Sequence, residues 1–534
     1  MPRILVTEPL AEEGLRLLRE QADVDLRTDL TAVTLLQAVA ACDGLVVRGK
    51  TRVTEAVMAA APRLAVIGRA GSGVDNIDLQ AATRRGVVVV NAPYGNTVAV
   101  AEYTIGLLLA LVRHIPRCDA ALHQGRWEKQ AGEGLQVRGK VLGLVGLGRV
   151  GTAVARRALG LEMKVLAYDP FVTPERAAQV GAQWVPWEEL LRTSDFVSLH
   201  LPDSEKTRGL LGTRELDLMK PTAYVINCAR GGLVDEAALA QALREGCLAG
   251  AALDVFAHEP PRDSPLLGCD NVVLTPHVAG STAEAQRDTA IEVAQQVLDV
   301  LAGRMPRYPV NAPALPAEEL ETLGPYLDLA QRLGSFYAQL AGNHLQSLEV
   351  AYAGDAAPSA RGGAAGQRLD LIVSSTLVGL LAGASEEPVN WINAQLVAQE
   401  RGIAFAGRLE PAASAAGWSN WIELRVTADS RQHVVAGTVL RGEPHIVQID
   451  GRWLDFVARG LLLVSEHIEQ PGILGRMGTV LGAAGVNIHF VQVGREGRGG
   501  AGTLVLGLDD PLTPEVLTQV LALPSIRSAC MVRL

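Results

Sequence analysis

Three side chains able to handle a proton and an anion follow one another in order: Arg230, Glu259 and His277. His277, in Thr275-Pro276-His277-Val278-Ala279-Gly280-Ser281, carries an imidazole that titrates near neutrality, so it can take a hydroxyl proton as a hydride leaves the same carbon. Glu259, in Asp254-Val255-Phe256-Ala257-His258-Glu259-Pro260, offers a carboxylate to the other ring nitrogen and favours the charged ring. Arg230, followed by Gly231-Gly232, presents a planar fork that matches a carboxylate and can polarise a neighbouring carbonyl oxygen. Read singly, a loop arginine is a surface ion pair and a histidine a structural residue. Read jointly, the three describe proton removal from an alcohol beside a carboxyl group.

The hydride needs an acceptor, and an earlier stretch supplies a place for one. Gly146-Leu147-Gly148-Arg149-Val150-Gly151 follows the apolar run 141–145 and opens a helical run over 152–159. In that setting the glycines let backbone approach a pyrophosphate, and the helix start contributes free N–H donors and partial positive charge. Asp169 ends the next strand-like run; its carboxylate accepts from a ribose hydroxyl and repels a 2′-phosphate, which favours NAD over NADP.

Elements of alternating type must position these groups. Strand-like runs at 4–7, 44–48, 65–69 and 87–91 alternate with helical stretches at 11–21 and 30–41, the pattern of a parallel sheet covered on both faces. A long apolar helix over 99–113 leads to a second alternating series, with strands at 141–145, 164–168, 196–199, 223–227, 250–253 and 272–275. After a helix over 284–302, the stretch from Arg304 to Pro313 holds three prolines and reads as a domain boundary. An Ala- and Gly-rich region without a motif follows. Residues 461–534 then read strand, helix, strand, strand, helix, strand, a ferredoxin-like order.

Composition narrows the partners. A chain of 534 residues exceeds one hydrophobic core, so several domains are expected. Net charge is -10 with no basic tract, which argues against a nucleic-acid partner. The six cysteines include no CxxC pair, so neither a metal site nor a disulfide framework is expected, and a reducing cytoplasm fits. The apolar start is short and reads as a strand rather than a signal sequence. The apolar run 369–382 is interrupted by Asp370, Ser374 and Ser375 and reads as buried core, so no membrane association is expected.

The stretch Gly68-Arg69-Ala70-Gly71-Ser72-Gly73-Val74-Asp75-Asn76-Ile77-Asp78, with 146–151, 227–236, 251–260 and 275–282, resembles the D-isomer-specific 2-hydroxyacid dehydrogenases over residues 1 to about 310. The resemblance implies an α/β fold, with a Rossmann-type NAD domain (93–287) inserted in a flavodoxin-like substrate domain (1–92 and 288–312). The active site then lies in the cleft, where Arg230 grips the substrate carboxylate and Glu259 and His277 handle the proton. It also implies NAD contacts from Ser72, Arg149, Val150, Asp169, Leu201, Cys228, Asp254 and Gly280, beside the glycines Gly146, Gly148 and Gly151.

Within that family the chain is similar to the long branch that oxidises 3-phospho-D-glycerate to 3-phosphonooxypyruvate, the first step of L-serine biosynthesis. The distal phosphate then needs partners from the substrate domain, and Arg48, Arg69 and Asn96 match such positions. Residues 313–456 resemble an α+β intervening domain. Residues 460–534 resemble a ferredoxin-like ACT domain, which implies a small regulatory pocket from His467, Glu469 and Asn487, with L-serine as its ligand. A homotetramer is the implied assembly. Two alternatives share the fold: a glyoxylate or hydroxypyruvate reductase, and an NAD-sensing binding protein similar to transcriptional corepressors.

Overall fold

Runs of Val, Ile and Leu too short for helices become the strands of two parallel sheets. The computed structural model describes residues 1–312, 317–341, 345–354, 364–382, 389–410, 418, 420–428 and 431–534. In the first sheet, β1 (Arg3–Val6), β2 (Asp23–Leu26), β3 (Gly44–Val47), β4 (Val66–Arg69) and β5 (Val88–Asn91) lie in the order β2-β1-β3-β4-β5, all parallel, the flavodoxin-like order expected. β2 is absent from the sequence reading because its Asp-Val-Asp-Leu occupies an open edge and lacks an apolar run.

After β5 the chain leaves this sheet through the buried helix Thr97–Val112 and builds a second one. There β6 (Val141–Val145), β7 (Lys164–Tyr168), β8 (Gln183–Trp184), β9 (Phe196–Leu199), β10 (Tyr224–Asn227), β11 (Gly250–Leu253) and β12 (Val272–Leu274) run parallel in the order β12-β11-β10-β9-β6-β7-β8. Strand order reverses between β6 and β9, and the crevice beyond the carboxyl ends at such a reversal is where open α/β sheets bind ligands. Each loop singled out from sequence in this region leaves the carboxyl end of one of these strands.

The helix Ala283–Leu301 then returns to the first sheet. Its approach is so close that a Cβ on Gly14 would stand 2.7 Å from Ala290, and one on Gly68 2.6 Å from Val297. Beyond it the proline-rich stretch runs back along β5: Val310 N donates to Val89 O at 2.7 Å, and Asn311 Oδ1 accepts from Val89 N at 2.9 Å. It is therefore part of the first unit as well as a boundary. Pro313 lies outside the described residues.

A third, mostly antiparallel sheet comprises β13 (Leu345–Gly354), β14 (Ala404–Glu410), β15 (Asn420–Ala428), β16 (Arg431–Leu440), β17 (Glu443–Ile449) and β18 (Arg452–Val457), in the order β14-β13-β15-β16-β17-β18. The helices Ala317–Ala341 and Ala364–Leu381 pack on it through Leu329, Leu333, Phe336, Leu371, Ile372 and Leu377. The apolar run near 369–382 is thus buried core, and no single helix among the described residues is long and apolar enough to cross a membrane. The last sheet, β19 (Leu461–Ile468), β20 (Ile488–Arg495), β21 (Ala501–Leu508) and β22 (Ile526–Arg533), has the order β20-β21-β19-β22 with helices Ile473–Ala483 and Pro514–Leu521, the ferredoxin-like pattern read from sequence.

Candidate active site

The glycine turn after β6 has room for a ligand on one side only. Gly146 sits at φ 96°, and a Cβ there would stand 2.6 Å from the His200 carbonyl oxygen and 2.8 Å from the Leu201 side chain. On Gly151 a Cβ would lie 2.2 Å from the Gly146 carbonyl oxygen, which fixes the helix against the turn. On Gly148 it would meet nothing within 4 Å. The helix Arg149–Gly160 starts immediately after Gly148, earlier than the sequence pattern suggested, and no side chain caps it. Its first N–H groups therefore face the open side of the turn, as binding of a pyrophosphate requires.

Asp169 directly follows β7 and is nearly buried. Its Oδ2 accepts from Leu147 N and its Oδ1 from Phe171 N, both at 2.9 Å, so the carboxylate braces the glycine turn while each oxygen keeps a further lone pair. Leu201 packs over Gly146, and half-buried Val150 joins the core under the helix. Arg149 turns toward the seam between the two sheets, with its guanidinium carbon 5.0 Å from the Tyr94 ring centroid. Cys228 is buried, and burial pushes its thiol up to about 12, so it is a neutral wall residue at physiological pH.

The proton-handling pair is assembled. His277 Nδ1 lies 2.8 Å from Glu259 Oε2, and Glu259 Oε1 accepts from Phe256 N at 3.1 Å. His277 has φ 55°, and its N–H donates to the Asp254 carbonyl at 2.8 Å. Fully buried Asp254 holds this turn from beneath, accepting from Thr275 Oγ1 (2.6 Å), Val278 N (3.0 Å) and Ala279 N (2.8 Å). The histidine's placement thus depends on an aspartate that sequence reasoning read only as a cofactor contact. The imidazole is 53 % exposed, open to the cleft.

Arg230 follows β10 and reaches across the cleft. Buried Asn227 shapes its loop, accepting from Ala229 N at 3.0 Å and donating to the Arg230 carbonyl at 2.9 Å. Arg230 Nε donates to Asp75 Oδ2 at 3.0 Å, on the loop that follows β4. Arg69, at the end of β4, lies in the space a side chain at Gly71 would take, and its Nε is buried without a partner. Burial first, and then the nearby Arg230 charge, lower Arg69 to about 10. Arg48, the other predicted cation, also acts on Arg69, so the three guanidinium groups share one region. A concentration of like charge around a desolvated, underbonded arginine is the electrostatic form of an anion site.

Ser72 and Asn96 lie where the two sheets meet. Asn96 Nδ2 donates to Ser72 Oγ at 3.4 Å, and a Cβ on Gly280 would stand 3.3 Å from that same nitrogen. Sequence reasoning missed the residues that brace this seam. Glu8 gathers N–H groups from Arg48 (2.9 Å), Lys50 (3.2 Å) and Thr51 (3.0 Å). Glu292 accepts from Gly95 N at 3.2 Å, and Gln296 donates to Asn91 O at 2.8 Å. The one available signal was a glutamine, 2 % exposed, inside an amphipathic helix; its position in the pattern places it on the buried side.

In the last sheet, His467 and Glu469 come together. His467 is buried, its Nε2 is 3.2 Å from Glu469 Oε2, and its Nδ1 has no partner. Arg495 Nη1 donates to Glu469 Oε1 at 3.4 Å. With Ile473, Leu474, Val493 and Leu504 they line a cavity of about 270 Å³. Asn487 does not join them. It bonds Asp509 at 2.7 Å beyond the Leu508 end of β21, whereas His467 pairs with Gly502 near the other end. The helix Ile473–Ala483 carries the chain the length of the sheet before Asn487 is reached, so within one chain the cavity is lined by His467, Glu469 and Arg495 and not by Asn487.

Comparison with known proteins finds relatives over the whole chain. The NAD-binding-domain model of the D-isomer specific 2-hydroxyacid dehydrogenases matches residues 105–279, the D-3-phosphoglycerate dehydrogenase intervening-domain model matches 322–450, and the ACT-domain model matches 462–525. The D-3-phosphoglycerate dehydrogenase of Methanocaldococcus jannaschii is 40 % identical over 535 residues, covering 100 % of both chains. The chain belongs to the D-3-phosphoglycerate dehydrogenase family. The family member from Bacillus subtilis is 36 % identical over 538 residues, again covering 100 % of both chains. Among solved structures, the TT0316 protein of Thermus thermophilus has a TM-score of 0.54 and 38 % identity, covering 58 % of this chain and 99 % of its own. An NADPH-dependent glyoxylate/hydroxypyruvate reductase of Sinorhizobium meliloti has a TM-score of 0.52 and 31 % identity, covering 58 % of this chain and 96 % of its own. The reductase thus matches little more than half of this chain, whereas the phosphoglycerate enzymes match all of it.

Proposed function

We propose that this chain oxidises 3-phospho-D-glycerate to 3-phosphonooxypyruvate with NAD, the first step of L-serine biosynthesis. The observation that carries the reading is the His277–Glu259 pair at 2.8 Å in the same cleft as Arg230 and the cations Arg48 and Arg69. Full-length similarity to D-3-phosphoglycerate dehydrogenases supports it. The division into 1–92 with 288–312, 93–287, 313–456 and 460–534 is part of the proposal, supported by the return of the helix Ala283–Leu301 onto the first sheet.

NAD, when bound, supplies the hydride acceptor. The residues to hold it are Gly146, Gly148, Gly151, Arg149 and Val150 at the helix start, with Asp169 at the ribose. Ser72, Leu201, Cys228, Asp254 and Gly280 are proposed around the rest of the cofactor. The open side of Gly148 and the uncapped helix suit a pyrophosphate. Asp169, with no cation among its bonding partners, suits a ribose without a 2′-phosphate.

His277 takes the C2 hydroxyl proton through Nε2, since Nδ1 faces Glu259. Glu259 fixes the ring's orientation and offsets the positive charge that develops on it. Arg230 grips the carboxylate and polarises the forming carbonyl. Arg48 and Arg69 meet the phosphate, with Asn96 beside them.

The ACT domain marks ligand regulation, and we propose L-serine in the cavity of His467 and Glu469. A homotetramer is supported by apolar side chains left open near the second sheet, including Trp127 at 82 % exposure, Leu122 and Ile115. The six unpaired cysteines fit a reducing compartment, and we place the chain in the cytoplasm. The test is a rate panel of phosphorylated and unphosphorylated 2-hydroxy acids, with and without L-serine, repeated for Arg48→Ala and Arg69→Ala. A preference for 3-phospho-D-glycerate that both substitutions erase is expected. Equal kcat/KM for unphosphorylated acids in the parent protein would overturn the substrate assignment.

A further inference from the structure

Asp75 and Arg230 lie 155 residues apart in sequence and form one ion pair across the cleft. Arg230 is held at two of its nitrogens, and the third lies against backbone. Nε donates to Asp75 Oδ2 at 3.0 Å, Nη1 donates to the Ala229 carbonyl at 2.7 Å, and Nη2 lies so near Gly73 that a Cβ there would stand 2.0 Å away. The guanidinium plane is therefore fixed before any substrate arrives. Its Nε edge is spent on Asp75, and the donors that remain are on the two terminal nitrogens, the pair that matches a carboxylate bidentately.

Resting on the dehydrogenase reading above, we infer that Asp75 is a positioning residue, orienting Arg230 so that the terminal edge of its guanidinium faces the substrate carboxylate. The geometry has two consequences. First, a long side chain with many rotamers is already ordered, so gripping the carboxylate costs less conformational freedom. Second, Asp75 places one negative charge among Arg48, Arg69 and Arg230; for Arg69 it acts against the lowering caused by burial and by the other arginines. At 63 % side-chain exposure, Asp75 serves the fold little, so its removal acts on the clamp rather than on stability.

The test compares Asp75→Ala and Asp75→Asn in the full-length protein. Asn keeps an oxygen to accept from Arg230 Nε; Ala keeps none. Asp75→Ala is expected to raise KM for 3-phospho-D-glycerate about 10-fold or more, with KM for NAD and the melting temperature unchanged, and Asp75→Asn to recover most of the loss. A second arm needs no turnover: oxalate titrated into the NADH-bound protein, followed by NADH fluorescence, probes the carboxylate clamp alone and should weaken in parallel. If the parent protein makes no NADH from 3-phospho-D-glycerate, the substrate reading fails while the oxalate arm still decides the role of Asp75. Equal oxalate affinity in parent and Asp75→Ala, tighter binding in Asp75→Ala, or an Asn variant as impaired as Ala would each overturn the positioning role. So would a fall in melting temperature with loss of NAD affinity, since that marks general damage.

Discussion

Gly146 and Gly148 stand two residues apart in one turn, and a single methyl group should affect them in opposite ways. At Gly146, alanine meets two penalties: a left-handed backbone at φ 96°, costing about 1–2 kcal/mol, and a Cβ 2.6 Å from the His200 carbonyl, costing about 1–3 kcal/mol of displacement. Together these give roughly 2–5 kcal/mol, or a fall of about 4–20 °C in the melting of this unit, at about 2–4 °C per kcal/mol for its size. At Gly148, φ is −73° and a Cβ meets nothing within 4 Å, so the fold should melt within about 2 °C of the parent. That empty space is where a pyrophosphate is proposed to lie. A methyl group there separates the helix N–H groups from a charged ligand, and losing charged hydrogen bonds costs about 1.5–3 kcal/mol, roughly a 10- to 150-fold rise in NADH Kd. Differential scanning fluorimetry and NADH fluorescence titration read the two effects separately. Gly148→Ala binding NADH within about twofold of the parent would show that the turn is not the pyrophosphate site.

Three further outcomes follow from the same geometry. Asp169→Ala should weaken NAD about 10- to 100-fold and bring NADP closer to it, because the lost carboxylate bonded a ribose hydroxyl; an unchanged NAD/NADP ratio in a competition titration would refute the ribose role. Arg69→Met should raise KM for 3-phospho-D-glycerate without lowering the melting temperature, since a guanidinium lowered to about 10 is a fixed cost to the fold at neutral pH, relieved only as pH climbs past that value; a destabilised variant with an unchanged KM would contradict it. His200, packed at the glycine turn and lowered by burial from 6.5 to about 4, ties stability to pH. The unfolded chain binds its proton first, so stability present above about 6.5 is lost as pH falls toward 4, by roughly 3 kcal/mol in full. His200→Gln should flatten that acid limb in thermal melts, and an unaltered limb would exclude the residue.

What the sequence disclosed depended on whether the physics was local. Strands β6, β7, β9 and β11 appear at the positions expected, because apolar runs bounded by glycine and polar turns have no other easy conformation. The edge strand β2 and the short helices Glu55–Ala59 and Leu79–Arg84 escaped notice, since exposed edges and one-turn helices leave little pattern. The placement of Gly146, Asp169, Arg230, Glu259 and His277 in loops that follow strands was legible, because each lies after an apolar run with chemistry its neighbours do not explain. Asp75 acts on Arg230, and Glu8 and Gln296 brace the loop of Arg48 and the end of β5, from distant or hidden positions, and a hydrogen bond across 155 residues leaves no mark on spacing. The distance of Asn487 from His467 within the chain was hidden for the converse reason. Asn487 is near His467 in sequence, but a full helix carries the chain to the far end of the sheet between them.

The account stands most directly on His277. Purified parent protein, given NAD and 3-phospho-D-glycerate at mildly alkaline pH, should generate NADH, while His277→Ala should bind NADH as the parent does and turn over about 10²- to 10⁴-fold more slowly. A His277→Ala protein that binds cofactor normally and oxidises 3-phospho-D-glycerate at the parent's rate would contradict it.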